Sequence, residues 1–116
     1  MLNPYFAEEH NILRAQVRKF VETEIVPNAE AWEEDGSVPR ELLHKMGELG
    51  FLGLMHEEKY GGSAMDVRAA TVLAEELARS TYAGVTITAL VHTNMASPHL
   101  ANAGNSTQKQ KYLPDI

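Results

Sequence analysis

Residues 80–108 read STYAGVTITALVHTNMASPHLANAGNSTQ, a stretch without Asp, Glu, Lys or Arg. It is too rich in Thr, Asn, Ser and His, and too interrupted by Gly84 and Pro98, to be a membrane span. A surface helix normally carries charge on one face, so an uncharged helix is expected to be buried on most sides. The stretch therefore predicts a helix packed inside a helical bundle.

The segment before this stretch predicts a charged helix from about Val67 to Arg79. Asp66 is a good N-cap residue, because its carboxylate can accept from the free backbone N–H groups of the first turn. Glu75 and Arg79 are four residues apart and are expected to pair on the surface, with Glu76 also exposed. The apolar stripe of this helix is predicted to be Val67, Ala70, Ala74, Leu77 and Ala78.

Further helices flank these two. Towards the C-terminus, Ser106 is the expected N-cap of a last helix that carries Lys109 and Lys111 and ends near Pro114. Towards the N-terminus, an amphipathic helix begins near Glu8 and kinks or restarts at Pro27, which has no backbone N–H. Its apolar positions, three or four residues apart, are Leu13, Val17, Phe20, Val21, Ile25, Ala29 and Trp32.

A glycine turn at Asp35-Gly36-Ser37 ends that helix, and Pro39 opens the next one. Leu42, Met46 and Leu49 are its predicted buried face, and Gly50 its C-terminal cap. The whole pattern predicts an all-α helical bundle of about five helices, forming one domain over residues 1–116.

Composition excludes several classes of function. The chain has 116 residues, a formal net charge of −6 and no cysteine. Without cysteine there are no disulfides, thiolate metal sites or thiol nucleophiles. The negative charge disfavours nucleic acid and anionic membranes as partners. The first residues lack the basic start and apolar run of a signal peptide, so a cytosolic location is expected.

Residues 56–66, HEEKYGGSAMD, predict a loop rather than a metal site. A zinc-protease helix needs a second histidine four residues after His56, and Tyr60 stands there. We therefore interpret His56 as an exposed loop histidine. His92 and His99 are better explained as hydrogen-bonded side chains than as metal ligands, because Pro98 intervenes and no carboxylate is near in sequence.

The uncharged stretch is the strongest candidate for a site. Buried polar groups must find partners, so its Thr, His and Asn side chains either pair within the core or line a cavity. In the second case Ile87, Leu90, Val91 and Met95 supply an apolar wall of the kind that a long aliphatic ligand needs.

Three blocks of the sequence resemble the N-terminal helical domain of acyl-CoA dehydrogenases. The first is GELGFLGLMHEEKYGGSAMD (47–66), followed by AEELAR (74–79). The second is GNSTQKQKYLPDI (104–116), and the third is PNAEAWEEDGSVPRELL (27–43). The blocks fall in family order and cover nearly the whole chain. Glu57 departs from the pattern, since proline is usual there.

This resemblance implies an FAD-dependent oxidation of an acyl-CoA thioester at its α,β carbons. The middle β-domain and the C-terminal helical domain, which carry the base and most flavin contacts in the family, are absent from this chain. No catalytic or metal-binding residue is therefore assigned, and the flavin contacts stay unknown. In relatives the helix corresponding to residues 80–96 lines the acyl pocket, which implies Ile87, Leu90, Val91, Asn94 and Met95 as substrate-binding residues.

The resemblance also implies partners: acyl-CoA, the remaining domains, an electron-transfer flavoprotein and other copies of the chain in a dimer or tetramer. Two other readings stay open at this point. The chain could be a stand-alone helical interaction module without catalysis. It could also belong to a related flavoenzyme, such as an acyl-CoA oxidase or a flavin monooxygenase.

Overall fold

The computed structural model describes residues 5–115, which form five continuous helices and no β-strand. The first joins α1 (Glu8–Phe20) and α2 (Val26–Asp35) through a π-helical turn, and the second is α3 (Arg40–Glu48). The third is α4 (Val67–Ala78). The fourth joins α5 (Ala83–Leu90) and α6 (Ser97–Ala103) through a π-helical segment, and α7 (Ser106–Tyr112) is the fifth. The predicted all-α bundle is confirmed.

The first helix restarts at Pro27, as its sequence predicts. Residues Val21–Ile25 form the π-helical turn, and Pro27 lies in the first turn of α2, where its missing N–H breaks no hydrogen bond. Gly36, at φ +78°, then ends the helix in the left-handed region that favours glycine. Buried apolar residues line both halves: Leu13, Val17, Phe20, Val21, Ile25 and Ala29.

The prediction for α3 is right except at its last position. Leu42 and Met46 are buried, but Leu49 is 57 % exposed. The helix ends at Glu48, and Gly50 at φ +83° turns the chain away. Leu49 therefore lies at the C-cap, outside the helical face that contacts the core.

The N-cap of α4 is confirmed, but its buried face is not the predicted one. The Asp66 carboxylate accepts a hydrogen bond from the Ala69 N–H at 3.2 Å. Val67 is 61 % exposed, Ala70 and Ala74 are half-buried and Ala78 is exposed, while Leu77 alone of the predicted stripe is buried. The buried face is made of Ala69, Val72, Leu73, Glu76 and Leu77. Both faces carry small apolar residues, and the one with the larger side chains removes more apolar area from water.

The loop at 56–66 is confirmed and contains one short 3₁₀ turn, Glu58–Tyr60, that buries the Tyr60 ring. Gly61 adopts φ +90°. At Gly62 a Cβ atom would overlap the backbone carbonyl of His56, so only glycine fits. The two glycines are therefore required by the fold of the turn.

The core lies between the long first helix and α4, and the segment after α3 closes one end. There, the Phe20 and Phe51 rings meet edge to face with centroids 5.6 Å apart. The last helix carries Lys109 and Lys111 as expected, but its N-cap is Asn105 rather than Ser106. Asn105 and Gln108 cap each other's backbone N–H groups, with bonds of 2.9 and 3.0 Å.

Candidate functional site

The uncharged helix has one buried and one exposed face. Val85, Ala89, Thr93 and Ser97, four residues apart, face the core. On the opposite side Ile87 is 58 %, Val91 40 % and Met95 62 % exposed. The expectation that this helix is buried on most sides is therefore wrong for this chain. The missing charge instead leaves an apolar surface that nothing in the described chain covers.

The five residues implied as substrate-binding lie on or beside this surface. Ile87, Val91, Asn94 and Met95 are exposed, and Leu90 is half-buried against the core. Helical spacing places positions 87, 90, 91, 94 and 95 on neighbouring turns of one side. We call these five residues the outer wall. Asn94 also lines a groove of about 510 Å³ between α4 and α6.

Some polar side chains of this segment pair within the fold, and others line a cavity, so both alternatives from the sequence occur. Thr86 and Thr88 donate to backbone carbonyls one turn back, at 3.1 and 2.7 Å. Thr93 donates to the Leu52 carbonyl at 2.8 Å, which ties the segment to the turn after α3. Asn94 lines the groove, and His92 lines a cavity of about 690 Å³ on the other side. The threonines thus serve the fold, while Asn94 and His92 line the groove and the cavity.

His56 is not the exposed loop histidine that the sequence suggests. It is half-buried, and its Nε2 lies 2.8 Å from Ser97 Oγ. Burial lowers the pKa of His56, and the neighbouring His92 lowers it further. Its side chain lies at the boundary of the cavity and the groove. Sequence spacing gave no signal for this contact, because the partners are 41 residues apart.

Glu9, His10 and Asp66 bring three potential metal-ligand atoms within 4.8 Å of one another. However, the Ala7 N–H donates to His10 Nδ1 at 2.9 Å, and His10 Nε2 contacts Asp66 Oδ1 at 2.9 Å. Both ring nitrogens are thus already used within the protein. The histidine caps α1 through one nitrogen and orients the cap of α4 through the other, so its role is structural.

The prediction that Glu76 is exposed is wrong. Its side chain is 1 % exposed and pairs with Arg14 at 2.8 Å, Arg18 at 3.1 Å and Arg79 at 3.4 Å. Burial pushes the pKa of Glu76 upwards, but the hydrogen bonds from Arg18 and Arg14 outweigh burial and lower it. Glu75 contacts Arg14 at 2.9 Å instead of the predicted Arg79. Both glutamates are therefore held in ion pairs with arginines.

Two helix N-termini of the described residues are already occupied by side chains of the chain itself. A dinucleotide pyrophosphate is typically held by free N–H groups at a helix N-terminus. Here the Asp66 carboxylate already occupies the N-terminus of α4, and Asn105 caps α7. The cavity of about 690 Å³ presents Arg40 together with Glu48 and Asp115, so positive and negative side chains share its walls. Neither of these two helix N-termini therefore offers free N–H groups to a pyrophosphate.

None of the helices in residues 5–115 is both long enough and apolar enough to cross a bilayer.

The chain matches known proteins along nearly its whole length. The family model "Acyl-CoA dehydrogenase, N-terminal domain" matches residues 7–116. The chain is 38 % identical over 111 residues to the long-chain specific acyl-CoA dehydrogenase of rat mitochondria, covering 96 % of this chain and 25 % of the rat protein. It therefore spans about a quarter of that relative's length.

Solved structures of acyl-CoA dehydrogenases also superpose on this chain. A crystal structure of an acyl-CoA dehydrogenase from Geobacillus kaustophilus superposes with a TM-score of 0.87 at 39 % identity, covering 98 % of this chain and 30 % of that one. An acyl-CoA dehydrogenase complexed with FAD from Bacillus anthracis gives a TM-score of 0.86 at 35 % identity, covering 97 % and 19 %.

Proposed function

This chain belongs to the acyl-CoA dehydrogenase family through its N-terminal domain, and from that premise we propose that it forms part of the acyl pocket of an FAD-dependent acyl-CoA dehydrogenase. The complete enzyme removes one proton from the α carbon and one hydride from the β carbon of an acyl-CoA thioester. The product would be a 2-enoyl-CoA, and FAD bound by the complete enzyme would supply the hydride acceptor. The chain spans only part of its relatives, so activity, substrate and partners all belong to this proposal.

The observation that carries the proposal is the exposed apolar side of α5 and the π-helical segment. Ile87, Val91 and Met95 are large apolar side chains held in solvent on a rigid helix. Covering such a surface removes apolar area from water, and each methylene buried there contributes about 0.8 kcal/mol. In our proposal an aliphatic acyl chain covers this surface, because it is apolar, and the remaining domains enclose it.

The catalytic base lies outside this chain in our proposal. Glu76 is buried among three arginines, and Glu75 pairs with Arg14. Glu57 and Glu58 lie on the exposed side of the loop. A base must reach the α-proton and be free to accept it, and Glu75 and Glu76 are held in ion pairs.

The proposed partners are acyl-CoA, the remaining domains, an electron-transfer flavoprotein as acceptor, and further copies of the protein. A cytosolic location stays a prediction. The relatives compared above are acyl-CoA dehydrogenases, which favours this function over a stand-alone interaction module.

The test is to enlarge the outer wall in the complete enzyme. Leu90→Phe and Val91→Phe should each shift the optimum of kcat/KM towards shorter acyl chains, because the added ring takes ligand space. A shift by two carbons corresponds to about 1.6 kcal/mol of lost burial, roughly a fifteenfold change in preference. The measurement is kcat/KM over a series of straight-chain acyl-CoA thioesters.

Leu42→Phe is the control, since Leu42 is buried in the core. It should lower the melting temperature and leave the chain-length optimum alone. Folded Leu90→Phe and Val91→Phe enzymes with the wild-type profile would show that this helix does not line the acyl pocket.

A further inference from the structure

The outer wall depends on a segment that is not regular α-helix. Three of its five residues, Val91, Asn94 and Met95, lie in the π-helical segment Val91–Ala96. Such segments are rare and usually short, because their wider turns give poorer backbone contacts. They persist where side chains hold them in place.

The inner side of this segment is held by a chain of three hydrogen bonds. His56 Nε2 lies 2.8 Å from Ser97 Oγ, and Ser97 Oγ donates to the Thr93 carbonyl at 3.2 Å. Thr93 Oγ1 in turn donates to the Leu52 carbonyl at 2.8 Å. Because the single Ser97 hydroxyl proton goes to Thr93, the proton of the first bond comes from His56 Nε2. We call His56, Ser97, Thr93 and Leu52 the inner clamp.

The two hydroxyl groups of the inner clamp are shielded from water. Ser97 is 3 % and Thr93 8 % exposed. A buried hydroxyl that loses its partner cannot readily find a water molecule to replace it. The clamp also spans the segment, since Thr93 lies within it and Ser97 directly follows it. The turn after α3 and the loop at His56 thereby fix where the π-helical segment sits.

We propose that His56 and Ser97 are positioning residues for acyl-chain selectivity, acting through the π-helical segment on Val91, Asn94 and Met95. The inference rests on the proposed function, because His56 and Ser97 can affect acyl-chain selectivity only if the outer wall contacts the acyl chain. Neither residue touches the substrate. Both fix the backbone from which the outer wall projects, so losing their bond lets the wall yield to longer acyl groups.

The experiment compares variants of the complete flavoenzyme by two measurements. The first is hydrogen–deuterium exchange of the backbone amides of residues 91–97. The second is selectivity, the ratio of kcat/KM for the best acyl-CoA to that for a substrate two carbons longer. In His56→Phe, exchange should quicken and selectivity should fall, each by about fivefold, which corresponds to the loss of one hydrogen bond of about 1 kcal/mol.

Two further variants separate positioning from a general packing defect. Ser97→Ala should reproduce both effects, because it removes the other partner of the same bond. His56→Gln should restore both towards wild type, since its amide N–H can donate to Ser97. His44→Phe is the matched control: His44 is exposed on α3 and borders the same cavity as His56. It should leave exchange at residues 91–97 unchanged.

Each outcome decides the inference. Faster exchange and lower selectivity in His56→Phe and Ser97→Ala, with recovery in His56→Gln, support it. Wild-type exchange at residues 91–97 in His56→Phe overturns it, as does unchanged selectivity in an enzyme that oxidises acyl-CoA. A wild-type enzyme that oxidises no acyl-CoA thioester overturns the proposed function and this inference together.

Discussion

Among single residues, Glu76 shows that tertiary contacts can bury a charged side chain that the local sequence predicts to be exposed. The sequence places it beside Glu75 in a helix with charged neighbours, which favours an exposed position. In the structure it is 1 % exposed and receives hydrogen bonds from Arg14 and Arg18 on α1. A buried carboxylate is tolerated only with such partners. Glu76 therefore fixes how α1 and α4 meet.

Replacing Glu76 by Gln should lower the free energy of unfolding by about 1–3 kcal/mol, because a buried amide cannot satisfy the arginines as a carboxylate does. Glu75→Gln is the matched control. It removes an ion pair that is half exposed, and it should cost less than about 1 kcal/mol. Urea denaturation of both variants measures the difference. Equal costs at the two positions would contradict a special role for Glu76.

At the scale of secondary-structure elements, His10 joins the beginnings of two helices. Its ring accepts from the Ala7 N–H at the start of α1 and contacts the Asp66 carboxylate at the start of α4. The hydrogen bond from His10, together with those from Arg68 and Ala69, lowers the pKa of Asp66 to about 2. Two helix N-termini, 56 residues apart in sequence, are thus fixed to each other.

This lowered pKa predicts a pH dependence of stability. A carboxyl with a folded-state pKa of about 2 and an ordinary value of 3.8 stabilises the fold fully above about pH 4. That contribution is lost as the pH falls towards 2. Asp66→Asn keeps an N-cap side chain but removes the charge. Its melting temperature should therefore fall less steeply than that of wild type between pH 4 and 2.

Thermal unfolding followed by circular dichroism at several pH values measures both slopes. Parallel curves for wild type and Asp66→Asn would show that the Asp66 carboxylate does not couple folding to protons in this range.

At the scale of the whole molecule, the chain has a complete core on one side and an incomplete surface on the other. Buried apolar side chains fill the core between the first helix and α4, and the ion pairs of Glu76 lie beside them. In contrast, Ile87, Val91 and Met95 of the outer wall are exposed, and nothing within residues 5–115 covers them. A pocket needs walls on several sides to bury most of a ligand. The chain alone therefore presents a surface rather than a pocket.

We accordingly predict that the isolated 116-residue chain binds neither FAD nor acyl-CoA tightly. Absorbance near 450 nm across a gel-filtration peak reports flavin, and isothermal titration with an acyl-CoA reports the thioester. The complete enzyme, treated identically, is the positive control. Yellow flavin retained by the isolated chain through gel filtration would overturn the prediction.

Local signals predicted the elements well. Asp66 caps α4, Gly36 ends α2 and Pro27 marks a helix restart, because capping, left-handed φ and a missing N–H are properties of one residue and its near neighbours. The prediction for Leu49 failed because α3 ends at Glu48, before that position. The error along α4 has a different origin. Periodicity shows that a helix has an apolar face, but when small residues lie all round it, the packing partner decides which face is buried.

Residue type and local spacing were enough to predict the helical class, most helix ends and the uncharged stretch that carries the candidate site. Only the tertiary structure decided that this stretch exposes one side, that Glu76 is buried, and that His56 meets Ser97 across 41 residues. The physical reason is that burial and long-range hydrogen bonds belong to pairs of elements. Which pairs meet is settled by the packing of the whole chain, and no single segment encodes it.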